Sequence, residues 1–207
     1  MEEIKFAFAV LYRPLDTFNY IKDNREKLNY WIGLLLIFMC LPVRIATIFI
    51  EHYPIAALDP VDTNILLETV KILAPILTWV IVNFSITSIM GGETTIGEVF
   101  MATAYSVVPY LVFSIPLGIF SNILSRSEIG LYNSLHSIKW LWVILLIIIY
   151  VKEMNDYSII KTLFICVLGI IGMFLTWGLL LLIYVLTNQL YAFAFSVIME
   201  IRMSYGR

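Results

Sequence analysis

The sequence has 207 residues, 61% of them hydrophobic and 14% charged, with a formal net charge of −2. A soluble domain carries roughly 45–50% apolar and about 25% charged residues, so this composition excludes a water-soluble globular fold. The near balance of charge excludes general attraction to nucleic acid, and the lipid bilayer is the partner the composition does imply.

A membrane crossing needs about 20 mostly apolar residues, which leaves room for several spans and little else. Cys40 and Cys166 both lie in apolar runs, suggesting neither a disulfide framework nor a thiolate metal site. The N-terminus opens with Glu2 and Glu3, and its apolar stretch stops at Arg13-Pro14 without a small-residue cleavage site. It is therefore read as mature sequence rather than a signal peptide. Residues 4–12 are too short to cross. Pro14 can start a helix that places Phe18, Ile21 and Leu28 near one face, a segment expected on the membrane surface.

The first span is expected from Tyr30 to Ile50, with Trp31 as an interfacial anchor and Arg44 inside it. Glu51-His52-Tyr53-Pro54 reads as a loop. Asp59-Pro60-Val61-Asp62 has the pattern of a helix start, with an Asp cap and proline at the first helical position, running into a second span over 72–90 bent near Pro75. Gly91-Gly92 ends that helix. Thr95 and Glu98 have capping-box spacing, so a third span over 96–124 starts at once and forms an antiparallel hairpin with the second. Pro109 and Pro116 sit inside it and call for a kink.

Residues 121–137 read as a loop with a short interfacial helix near 129–135. Residues 140–151 form a fourth span only if 135–139 are counted, with Lys139 snorkelling outward. Lys152 to Asp156 is a polar turn and 162–186 a fifth span. Residues 188–207 read as an interfacial helix or a continuation of the fifth. The expected fold class is all-α, a polytopic membrane bundle of about five transmembrane helices with interfacial terminal helices. The expected organisation is a cytoplasmic or interfacial segment over 1–29, a five-span domain over 30–187 and an interfacial segment over 188–207. Lys5, Arg13, Lys22, Arg25 and Lys27 precede the first span, which predicts a cytoplasmic N-terminus. Five spans then put the loops at 91–95 and 152–161 on the same side and the C-terminus outside, in a multi-pass protein expected in the cell membrane.

Gly91-Gly92, then Glu98, then Ala104-Tyr105-Ser106-Val107-Val108-Pro109 resembles the signature of the Ypt-interacting-protein (YIP) domain family of five-span membrane proteins. Arg13-Pro14-Leu15-Asp16-Thr17-Phe18 is similar to the Pro-x-x-x-Phe segment before that family's first span. Trp140 and Trp142, followed by Tyr157-Ser158-Ile159-Ile160-Lys161, resemble its fourth span and the turn into its fifth. The resemblance covers roughly 12–185, and the order and spacing of the motifs carry it. It implies a non-catalytic role in membrane organisation or trafficking. The implied partners are small GTPases, other membrane proteins or a second copy of the chain, and no cofactor is implied.

The candidate structural residues are thus Gly91, Gly92, Thr95, Glu98, Tyr105, Ser106 and Pro109. Arg44 calls for an anionic head group or an acidic partner, or else snorkels to the outer interface. Asn83 is expected to hydrogen-bond across the hairpin to Tyr105 or Ser106, because Pro109 frees the Tyr105 carbonyl. His52 and His136 are expected in solvated outer loops, not as metal ligands. Gly169, Gly172 and Thr176 form a small-residue face suited to close helix packing. No nucleophile, metal-ligand or phosphate-loop motif is present, so the chain is not expected to be an enzyme. A small transporter or channel is the alternative, suggested by Pro109, Pro116 and Arg44.

Overall fold

The computed structural model describes residues 2–25, 29–51 and 63–205, and among these residues there is no strand. Their helices are α1 (Glu2–Ala9), α2 (Pro14–Asp23), α3 (Tyr30–Ile50), α4 (Ile65–Ile89), α5 (Ile96–Ser106), α6 (Val108–Ser121), α7 (Ile129–Met154) and α8 (Ile159–Tyr205). Five stretches are long and apolar enough to cross a membrane: Tyr30–Ile50, Ile65–Ile89, Ile96–Ser121, Arg126–Met154 and Ile159–Met199. The third of these, α5 with α6, is 67% buried, against at most 28% for any other. It is the central strut, and the remaining spans turn apolar faces outward, as lipid requires.

The chain divides into two compact units, Met1–Gly169 and Ile170–Arg207. In the first, α3, α4, α5 with α6, and α7 pack around one another, and the start of α8 buries Thr162, Ile165 and Cys166. The second unit is helical to Tyr205, and its side chains from Trp177 to Met199 are exposed and mostly apolar. The helix that begins at Ile159 therefore continues well past the fifth span expected at 162–186.

Several local outcomes differ from the sequence reading. Helix α2 starts on Pro14 as expected, but its apolar face is covered by protein: Phe18 is fully buried, Ile21 nearly so, and the Phe18 ring lies 5.9 Å from that of Tyr150 on α7. Leu28 lies outside the described residues, as do His52 and the helix start expected at Asp59-Pro60-Val61-Asp62. The second span has its own cap instead, with Asn64 Oδ1 accepting from the amides of Leu66 and Leu67 at 3.0 and 3.3 Å. An uninterrupted helix from Pro60 into the span is thereby corrected, since the Asn64 backbone is extended.

The third span is two helices. Pro109 has no N–H and its ring would crowd the Tyr105 carbonyl, so α5 stops at Ser106 and α6 restarts at Val108 with the proline in its first turn. The amide of Val107 bridges the break, donating to the carbonyls of Ala104 and Tyr105. The fourth span begins earlier than expected. Ser125 and Glu128 form a capping box around a 3₁₀ turn at Arg126–Glu128, and α7 then runs unbroken from Ile129, which places His136 on the helix rather than in a loop.

Candidate functional site

At the N-terminal end of the bundle, the residues of the Gly-Gly and capping-box motif form a locked turn. Gly91 takes φ +73°, a left-handed conformation that costs other residues because of their Cβ. Gly92 N–H then donates to the Thr87 carbonyl at 2.7 Å. A Cβ on Gly92 would stand 2.6 Å from the Tyr157 hydroxyl and 3.0 Å from the Thr87 carbonyl oxygen, so close approach is what this glycine supplies. Thr95 and Glu98 make both halves of the capping box: the Thr95 amide donates to Glu98 Oε2 at 2.8 Å, and the Glu98 amide to Thr95 Oγ1 at 3.4 Å.

This turn gathers distant segments. The buried carboxylate of Glu98 receives Arg25 Nε on its other oxygen at 3.1 Å, and Arg25 also donates to the Glu93 carbonyl at 3.2 Å. Lys22 pairs with Asp156, Lys161 donates to the Met90 carbonyl at 2.9 Å, and Thr94 donates to Asn155 Oδ1 at 3.0 Å. Tyr157 donates to the Thr87 carbonyl at 3.3 Å, and burial pushes its phenol above the usual range, which keeps it a donor. The N-terminal segment, the 91–95 turn and the 155–158 turn therefore share one end, as the span count predicts.

One level inward, Trp79 Nε1 donates to the Tyr150 hydroxyl at 2.6 Å, and that hydroxyl lies 3.3 Å from Thr103 Oγ1. The indole fits because Gly169 has no side chain: a Cβ there would stand 2.8 Å from the ring. Asn83, one turn along α4, is fully buried, and among the described residues neither amide atom has a hydrogen-bond partner. The bond expected from Asn83 to Tyr105 or Ser106 is not made, and the Ser106 hydroxyl donates to its own helix at the Ala102 carbonyl, 2.8 Å away. Tyr105 is buried beside it on α5.

A second polar layer lies toward the opposite end. Cys40, Val107, Tyr110 and Val143 form a buried apolar cluster on which Ile72 also packs, and this fixes a common level for four spans. Four residues further toward the far end, each of these spans carries a polar side chain: Arg44 after Cys40, Glu68 before Ile72, Ser114 after Tyr110 and Lys139 before Val143. Four residues of helix rise about 6 Å, so the four groups share one depth inside the membrane. Glu68, 4% exposed, receives Arg44 Nε at 2.9 Å and Lys71 Nζ at 2.6 Å. The acidic partner of Arg44 is thus in the same chain. Lys139 is also 4% exposed, which corrects the snorkelling reading; it donates to Ser114 Oγ at 3.1 Å and lies over the Tyr110 and Trp140 rings. Nearer the far end, Tyr132 donates to Glu51 at 2.6 Å, and half-buried His136 stands between Tyr132 and Trp140.

The sequence reading does not place Arg25, Glu68 or Ser114 at a site, and it sends Lys139 outward. Glu68 had a signal in its helical spacing to Lys71, and Lys139 in its place, with Tyr132, Val143 and Tyr150, on one face of α7. Both residues fall at the edge of the apolar runs that begin near 72 and 140, where a charged side chain reads as interfacial.

The helices define an integral membrane protein, multi-pass and in contact with the bilayer. Within that class the chain belongs to the Yip1 domain family, whose model matches residues 8–182. No curated protein matches the chain. No solved structure does so either.

Proposed function

We propose that this Yip1-domain protein is a non-catalytic organiser that holds other membrane proteins, in a trafficking-like role, with its N-terminus cytoplasmic in the cell membrane. Residues 1–29 act as the cytoplasmic-side segment, 30–187 as the five-span domain and 188–207 as an interfacial segment. Gly91, Gly92, Thr95, Glu98, Tyr105, Ser106 and Pro109 serve as the architectural centre that sets the bundle. The observation that carries the reading is the second unit. A crossing that starts at Ile159 needs about 20 residues, yet exposed apolar helix continues to Met199. Apolar helix surface beyond one crossing suits contact with another membrane protein's helices or with a second copy.

A photo-crosslinking residue at Leu181, Tyr184 or Tyr191 in native membranes tests this, with Phe38 as the comparison site. Discrete protein adducts from the α8 sites are expected, and lipid adducts alone would count against the proposal. The polar layer of Arg44, Glu68 and Lys139 inside the spans favours a second reading, a small transporter or channel. Solute or ion flux in proteoliposomes, lost on removing Lys139, would select it.

A further inference from the structure

We propose that Lys139 and Ser114 form a binding site for an oxyanion of the phosphate type, placed between α6 and α7 in the far half of the bundle. The chemistry follows from counting donors. A lysine ammonium has three N–H groups, and one of them is spent on Ser114 Oγ at 3.1 Å. Among the described residues no carboxylate lies in ion-pair distance of Lys139; the described ion pairs join Lys22 to Asp156, Arg25 to Glu98, Arg44 and Lys71 to Glu68, and Lys152 to Glu153. Ser114 accepts from the lysine, so its own hydroxyl proton remains to be donated, and no described group accepts it.

Among the described residues, two N–H groups of Lys139 and the O–H of Ser114 are thus left without an acceptor, and the Glu51 carboxylate acts on the ammonium only from beyond ion-pair distance. A buried cation in that state is costly unless something anionic joins it. The rings of Tyr110 and Trp140, 5.0 and 5.8 Å from the ammonium, offer only their weak negative faces. Arg44 cannot serve as counter-charge, and Glu68 at the same level already holds two cations, so the layer carries surplus positive charge. A compact ammonium with a neighbouring hydroxyl is a pattern suited to phosphate oxygens.

Access is short. Trp140 is 43% exposed on the outer surface of α7 while Lys139 behind it is 4% exposed. The Trp140 ring lies 5.8 Å from the ammonium, and an exposed side chain changes rotamer on the ps–ns timescale. The same phosphate chemistry could arrive as the head group of an anionic lipid or as a free ion from the far aqueous side, along Glu51, Tyr132 and His136.

The test uses the full chain in phosphatidylcholine nanodiscs, with the unfolding midpoint followed as phosphatidylglycerol or inorganic phosphate is added. A saturable rise in the midpoint with either anion is expected. A response to the lipid alone assigns a head group, and a response to inorganic phosphate assigns a free ion. Lys139→Met should abolish the rise, whereas Lys71→Met, at an exposed lysine of the same layer, should retain it. Because Lys139→Met could also impair folding, Ser114→Ala gives an independent reading: it keeps the charge, removes one donor, and should weaken the apparent affinity roughly tenfold. No rise with either anion in the wild-type chain would overturn the proposal. So would an equal rise in wild type, Lys139→Met and Ser114→Ala.

Discussion

Arg44 and Glu68 show how a charge within a span is held. A lone arginine at mid-helix costs about 2.5–3.5 kcal/mol on insertion scales, and here a carboxylate on the neighbouring span meets it at 2.9 Å. Removing one partner of a fully buried pair costs about 3–5 kcal/mol. Arg44 is 29% exposed, so a smaller loss is expected for Glu68→Gln. Measured as the unfolding midpoint in mild detergent, Glu68→Gln should destabilise more than Lys71→Gln, whose exposed ammonium loses little. Equal effects would mean that Glu68 is held by something other than Arg44. Asn83 presents the opposite case. Its buried amide bonds to no described group, and an unsatisfied polar group costs about 1–3 kcal/mol. Asn83→Leu, similar in size, should therefore raise the midpoint; a fall would reveal a partner for the amide.

At the scale of elements, the turn from Met90 to Ile96 joins two spans and fastens α2 to them. Two kinds of glycine meet there. Gly91→Ala places a Cβ in open space but in the left-handed region, at about 1 kcal/mol. Gly92→Ala drives a Cβ against the Tyr157 hydroxyl and the Thr87 carbonyl, and the carbonyl cannot yield without moving α4. The yield of folded protein should fall further for Gly92→Ala than for Gly91→Ala, and the reverse order would contradict the packing described. Thr95→Ala should cost about 1 kcal/mol, the usual loss for a helix cap. Glu98→Ala should cost more, because Glu98 also holds Arg25.

This turn was legible in the sequence because its signals are local: a glycine pair, then threonine and glutamate three residues apart. The first span was legible from its length and apolar run, and Pro109 from its missing donor. What was not legible depends on tertiary contact. Proline alone does not say whether a helix bends or restarts, and the spacing of Asn83 and Tyr105 about the turn does not show which groups face each other. Lys139 next to Trp140 resembles an interfacial pair in sequence. Only the adjoining α6, with Ser114 at the same depth, turns that lysine inward.

For the whole molecule, the bundle ends differ in what they hold together. The end bearing α2 joins three segments far apart in sequence through Lys22, Arg25, Thr94 and Lys161. The far end joins α3 to α6 through the Asn122 amide and the Ile50 carbonyl at 2.9 Å. Both native cysteines are buried, so introduced cysteines can be labelled over a quiet background. Asn24→Cys, Glu93→Cys and Asp156→Cys report one end, and Asn122→Cys reports the other. In intact cells, a membrane-impermeant maleimide should leave the first three unlabelled and modify Asn122→Cys; labelling that divides the first three between the two sides of the membrane would contradict the five-span bundle.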